Sequence, residues 1–185
     1  VELRCNACHP RDHETDLLTS LEAAARARQA APSDEEEGGS VHLGRPPLTF
    51  VGEKLYAGWM ERFMNGTLPY KPRAELKARM PAFAAYARGL AEGLAHEHGY
   101  PAETASRLAV DPALAEIGKK LTAVNDGFSC VACHDVGTQK ALAGKDTATV
   151  NFSAVAERLR PSFYWRYIAD PPHVLSSTMM PKFIG

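Results

Sequence analysis

Two short stretches, Cys5-Asn6-Ala7-Cys8-His9 and Cys130-Val131-Ala132-Cys133-His134, constrain this 185-residue chain more than anything else in it. Each is a C-x-x-C-H pattern, and together they use all four cysteines. Two thiols three positions apart on one helical turn can each form a thioether with a vinyl group of a single haem, and the next residue then offers its imidazole to the iron. Covalent haem attachment therefore explains six residues at once. Zinc knuckles 125 residues apart depart from the usual ligand spacings and leave each following histidine without a reason. A thioredoxin-type pair would be single and set in a βαβ context that is not visible, and two disulfides would again leave the duplicated histidine unexplained.

The duplication extends beyond the cysteines. A shift of 104 residues aligns Val51, Glu53, Lys54, Leu55, Trp59, Arg62, Phe63 and Met64 with Val155, Glu157, Arg158, Leu159, Phe163, Arg166, Tyr167 and Ile168. After a four-residue length difference the match resumes at Met80-Pro81-Ala82-Phe83 and Met180-Pro181-Lys182-Phe183. The order C-x-x-C-H, amphipathic helix, M-P-x-F thus occurs twice.

A C-x-x-C-H followed by a distal M-P-x-F resembles class I cytochrome c, and its duplication resembles the dihaem cytochromes c built from two such domains. The resemblance covers essentially the whole chain. It implies an all-α fold of two tandem cytochrome c-like domains, residues 1–105 and 106–185, each wrapped around one covalent haem c. It further implies that Cys5, Cys8, His9 and Met80 hold one haem and Cys130, Cys133, His134 and Met180 the other, with His9, Met80, His134 and Met180 as axial iron ligands. Methionine suits that role, because a thioether is a soft neutral ligand and the following proline restricts its backbone. Such His/Met ligation raises the reduction potential, which suits an electron carrier.

Methionine is also a common core filler. Met60 and Met64 lie within the repeated helix and read as packing residues, and Met179 stands opposite Arg79 in the alignment, so its position does not require sulfur. His13, His42, His96, His98 and His173 fall outside the motifs; of these, His42 in the inserted loop and His173 ahead of Met180 are the competitors for a distal site. Arg62 and Arg166, at equivalent positions, are open to two readings, as partners of haem propionates or as surface salt bridges.

Helical signals dominate elsewhere. Asp111-Pro112 reads as an N-cap followed by proline at the first helical position, with Leu114, Ile117, Leu121 and Val124 on one stripe. Tyr86, Leu90 and Leu94 predict the apolar face of a helix weakened by Gly89 and Gly93. Pro161 opens a helix carrying Phe163, Tyr164, Trp165 and Tyr167, expected to line a haem crevice. The first repeat carries a 21-residue insertion within about residues 17–45, with an Ala/Arg-rich helix through about residue 30 and then an acidic run, Asp34 to Glu37, read as a solvated loop. No alternation long enough for a sheet is present. Each half is small for a core of its own, so a buried haem plate is expected to supply much of the missing apolar contact.

The net charge of −1 gives no general attraction to nucleic acid, and no apolar stretch approaches the ~20 residues that span a bilayer. The class I pattern has a helix before C-x-x-C-H and another after the methionine. Neither is present at the outer ends of this sequence, so the expectation is either a longer polypeptide, with room for an anchor or a further domain, or helices from the partner repeat or another subunit in those places. Because c-type haem is installed outside the cytoplasmic membrane in this family, the resemblance implies a periplasmic or otherwise extracytoplasmic location. The expected function is single-electron transfer between redox-partner proteins, without catalysis by the chain itself. The alternatives are a dihaem redox enzyme of peroxidase or sulfur-compound oxidoreductase type, or a haem sensor, and both need a displaceable distal ligand.

Overall fold

A computed structural model of the chain describes residues 3–12, 14–29, 45–73, 79–105, 109–142, 149–176 and 178–183. The acidic run Asp34 to Glu37 and the histidines His13 and His42 lie outside the described residues. The chain is all-α: eight α-helices and three short 3-10 turns are described, and the β-bridges among the described residues are isolated ones. The α-helices are α1 (Leu17–Gln29), α2 (Val51–Lys54), α3 (Ala57–Asn65), α4 (Ala87–Glu97), α5 (Pro112–Thr122), α6 (Val155–Arg158), α7 (Pro161–Ala169) and α8 (Pro171–Val174). None is long and apolar enough to cross a membrane. Two compact units result, Val1–Val51 and Gly52–Gly185, and the second contains segments of both sequence repeats.

In the first unit α1 packs against the 3-10 turn Cys5–Ala7. Asp16, which is buried, starts this helix: its carboxylate accepts from the Thr19 backbone N–H at 2.8 Å and the Thr19 hydroxyl at 2.7 Å, and pairs with Arg45 at 3.1 Å. Burial raises the Asp16 pKa, but the two Thr19 hydrogen bonds and Arg45 outweigh it, and the net shift is downward. A carboxylate held below its unfolded value of 3.8 contributes stability that is complete above that pH and is lost as pH falls through the folded-state value. Asp16→Ala is therefore expected to cost α1 about 1–2 kcal/mol at neutral pH. Hydrogen exchange of the α1 amides reads this directly, and protection equal to wild type would contradict it.

In the second unit α3 and α4 form the principal helix pair. Trp59, Met60 and Met64 of α3 are buried, so Met60 and Met64 are packing residues as their sequence positions indicate. They meet an alanine stripe, Ala87, Ala91 and Ala95, rather than the face through Tyr86, Leu90 and Leu94. The small stripe lets the α4 backbone come close to large side chains, whereas Tyr86 is exposed. Gly52 makes the approach closer still: a Cβ there would overlap the Leu94 carbonyl and lie 2.7 Å from His98 Nδ1.

The pairing of Asp111 and Pro112 caps α5 as expected, with the Asp111 carboxylate accepting from Ala113 N at 2.9 Å and Leu114 N at 3.2 Å. Its apolar stripe, however, is exposed, Leu114 by 65% and Ile117 by 53%. Pro161 opens α7, where Phe163 is buried while Trp165 is 71% exposed, so the aromatic cluster does not form a single lining.

The repeat shift reappears in three dimensions. Helix α3 plus 104 residues is α7, and α2 plus 104 is α6. Leu55 and Leu159, repeat equivalents, form an antiparallel bridge in which Tyr56 N donates to Arg158 O at 3.1 Å and Arg160 N donates to Lys54 O at 3.0 Å. Exchanging the two repeats turns each bond into the other, so a pseudo-two-fold axis passes through this bridge. The same exchange relates two ion pairs, Arg62 with Glu157 at 3.1 Å and Arg166 with Glu53 at 2.6 Å. Both arginines thus follow the salt-bridge reading, and at their exposure each pair contributes about 0–1 kcal/mol. Stacking repeats as well, Trp59 on Phe63 at 5.2 Å and Phe163 on Tyr167 at 5.7 Å.

Candidate haem-attachment sites

Both C-x-x-C-H motifs adopt one backbone form. Arg4 and Ser129 hold left-handed conformations, φ 49° and 58°, which turn the chain into the 3-10 segments Cys5–Ala7 and Cys130–Ala132. Cys8 N and His9 N both donate to Cys5 O, and Cys133 N and His134 N both donate to Cys130 O. This compact turn places the second thiol and the histidine one after the other on a single loop. Positive φ then recurs at Asp12 and Gly137, at the same offset from the cysteines.

All four cysteines are free thiols, Cys5 and Cys130 half-buried, Cys8 and Cys133 exposed. Neither pair is closed as a disulfide, so each turn presents two sulfurs and an imidazole. The histidines are oriented alike: His9 Nδ1 donates to Pro46 O at 2.8 Å, and His134 Nδ1 to Val150 O at 2.9 Å. Pro46 and Val150 are themselves 104 residues apart, so the anchoring carbonyl belongs to the repeat. A proton fixed on Nδ1 makes Nε2 the basic nitrogen, as a histidine that ligates a metal requires. In the second repeat Thr149 Oγ1 also lies 2.6 Å from His134 Nδ1 and 3.4 Å from Nε2, and the ring packs 4.5 Å from that of Phe152. Burial lowers the His134 pKa, only partly opposed by the Val150 carbonyl, and favours the neutral ring. Burial likewise raises the Cys130 thiol, with its own backbone opposing and Cys133 adding to the rise.

The second methionine is positioned through its own backbone. Met180 N donates to Thr178 Oγ1 at 3.2 Å, and that hydroxyl meets Tyr167 OH of α7 at 2.7 Å. Met180 is half-buried and Met179 is 51% exposed. Met80 is also half-buried, and Phe83, three residues on, donates its N–H to Met64 O at 2.7 Å and ties the M-P-x-F segment to α3. Among the competing histidines His173 is exposed on α8, with its N–H donated to Asp170 at 3.2 Å. His98 Nδ1 donates to Leu94 O at 3.0 Å on α4.

Among the described residues no three His, Cys, Asp or Glu side chains gather as a cluster that could hold a bare metal ion, so the zinc reading finds no ligand set there. The donor set itself, two unpaired thiols and a neutral imidazole on one turn, fits a covalently attached haem. Arg158 Nε is buried without a hydrogen-bond partner among the described residues. Sequence reasoning left Lys54 and Arg158 without a role, although the repeat alignment had already placed them opposite each other.

Comparison with protein-family models, with curated proteins and with solved structures returns no match to this chain.

Proposed function

We propose that this chain is a dihaem c-type cytochrome module that passes single electrons between redox-partner proteins. The observation that carries the reading is the duplicated C-x-x-C-H turn, with the same left-handed entry, the same hydrogen bonds and the same Nδ1 anchor in both copies. A motif occurring once by chance would have no reason to reproduce its supporting carbonyl 104 residues later.

Haem c supplies the one-electron couple of its iron when bound. The chain's own residues fix where that couple sits. Cys130 and Cys133 tether the group, while His134, held neutral and aimed by the Val150 carbonyl, supplies a proximal nitrogen. Met180, placed by Thr178, supplies a distal sulfur. By the repeat the same roles fall to Cys5, Cys8, His9 and Met80. One soft neutral sulfur ligand on each iron would favour the ferrous state and a high potential. The work of the protein is then to hold each group still through oxidation and reduction, in keeping with a carrier rather than an enzyme. An extracytoplasmic location follows from the same reading.

The test is the haem content of the purified chain after production in a host that attaches c-type haem. A pyridine haemochrome assay is expected to give two haems per chain, and the mass of the denatured chain should include both. Replacing Cys130 and Cys133 together by serine should leave one haem. A chain without covalent haem would contradict the reading.

A further inference from the structure

The two repeats hold their proximal histidines on equivalent carbonyls, yet the residue ahead of each carbonyl is tied down differently. In the second repeat that residue is Thr149. Its N–H and hydroxyl both donate to Cys133 O, at 3.0 and 3.2 Å, and the hydroxyl oxygen lies 2.6 Å from His134 Nδ1. The same 104-residue shift makes Arg45 the first-repeat equivalent. Its guanidinium reaches the helix of the insertion, α1, instead. Nη2 donates to Asp16 Oδ1 at 3.1 Å and to Thr19 Oγ1 at 3.0 Å, and Nη1 donates to Glu22 Oε1 at 3.2 Å. Asp16 is 3% exposed and is itself fixed by the Thr19 N–H and hydroxyl, so the fork closes on an anchored carboxylate. Three acceptors on one helix need the planar donor fork of an arginine.

Arg45 is joined directly to Pro46, whose carbonyl accepts from His9 Nδ1 at 2.8 Å. The fork on α1 and the ring of His9 therefore act on neighbouring residues of one short segment. Beyond Pro46 that segment is tied back to the motif, with Leu48 N donating to Pro10 O at 2.9 Å and Asp12 N donating to Thr49 Oγ1 at 2.7 Å. The second repeat has the counterpart of the first of these bonds, from Phe152 N to Asp135 O at 2.9 Å. What is particular to the first repeat is the tie ahead of the carbonyl. Every residue of this arrangement, from Cys5 to Thr49, belongs to the unit Val1–Val51.

We infer that Arg45 is a positioning residue for the first haem site: by gripping Asp16, Thr19 and Glu22 it holds the Pro46 carbonyl on His9 Nδ1, and through it the insertion governs how strongly His9 donates to the iron. The inference rests on the function proposed above. A hydrogen bond given by Nδ1 raises the donor strength of Nε2, which stabilises ferric iron and lowers the reduction potential. The insertion is then more than a solvated addition to the first repeat. It gives that repeat a means of setting its potential separately from the second, whose histidine is held through Thr149 and Val150 on its own loop.

The test uses the holoprotein with its haem content measured first. Arg45→Gln combined with Glu22→Gln breaks the fork while removing one positive and one negative charge, so the local net charge is kept and Asp16 retains its Thr19 bonds. One of the two midpoint potentials should rise by about a threefold change in the reduction equilibrium or more, about 28 mV for one electron on a scale of 59 mV per tenfold. One of the two ligand-histidine Nδ1–H signals in proton NMR of the ferrous protein should exchange with solvent about tenfold faster or more. The other haem and its histidine serve as the internal reference. Ala24→Gly, at an exposed position of α1, weakens the helix without touching the fork and should leave both readouts as in wild type. Glu22→Gln alone, at a partly exposed side chain, is the milder variant if the double one does not fold, and should quicken the same signal by a smaller factor. Two haems with both readouts unchanged, or equal changes in the Ala24→Gly variant, would show Arg45 to be structural only and overturn the inference while leaving the proposed function standing. A chain without covalent haem would overturn both.

Discussion

Arg160→Met is expected to lower the stability of the second compact unit by about 3–4 kcal/mol, because charged hydrogen bonds contribute about 1.5–3 kcal/mol each and several are lost together. Arg160 is 2% exposed. Its Nε donates to Gly52 O and Leu55 O at 3.2 Å each, and Nη2 donates to Pro101 O at 3.3 Å. Nη1 pairs with Glu103, and the guanidinium lies 5.1 Å from the Tyr56 ring and 4.6 Å from that of Tyr100. Glu103 is partly exposed and can turn to water when the arginine is removed. The cost therefore comes mainly from the three carbonyls that lose their donor. Lysine should not rescue, since a single ammonium cannot replace the planar fork. Urea unfolding of the holoprotein measures the effect as a fall in midpoint at constant slope, and a loss below about 1 kcal/mol would contradict this description.

Gly52→Ala should be at least as damaging. The added methyl would overlap the Leu94 carbonyl, which is backbone of α4 and cannot rotate away, so α2 must move off its neighbour. Separating the two elements would also pull at Arg160, whose Nε bonds to the Gly52 carbonyl. The expectation is a loss of about 3 kcal/mol or more, at the upper end of single-substitution effects. Gly89→Ala and Gly93→Ala provide the opposite sign within the same helix pair. Both positions face open space on α4, and alanine there should add about 0.5–1 kcal/mol each. The three variants differ only in where one methyl is placed. Equal effects at Gly52 and Gly89 would show that α2 and α4 are not in contact.

What the sequence made legible was local or repeated. The Asp111 cap, Pro161 at the start of α7, the helix inside the insertion and the packing roles of Met60 and Met64 all follow from neighbours within a turn or two. The C-x-x-C-H turns could be read for the same reason, and the repeat added its own register. What stayed hidden depended on partners far apart in the chain. Arg160 reads as an ordinary surface residue until its three carbonyl acceptors, all more than fifty residues away, are brought to it. The buried face of α4 was misread because leucine outranks alanine in hydrophobicity, while the space against Trp59 and Met60 selects for size. Arg62 and Arg166 had two sequence readings, and only the pseudo-two-fold axis brings their glutamates within reach. The stripe of α5 shows the reverse, a helical period read correctly whose apolar side chains nevertheless stay largely exposed.

The most direct test of electron carriage is the absorption spectrum of the purified holoprotein in its ferric and ferrous states, with and without carbon monoxide. Two haems per chain, a weak far-red band in the ferric state from sulfur bound to iron, and a ferrous spectrum unchanged by carbon monoxide are the results expected if Met80 and Met180 close both distal positions. Loss of the far-red band, or a haem that binds carbon monoxide, would contradict the account and leave at least one distal position open to other chemistry.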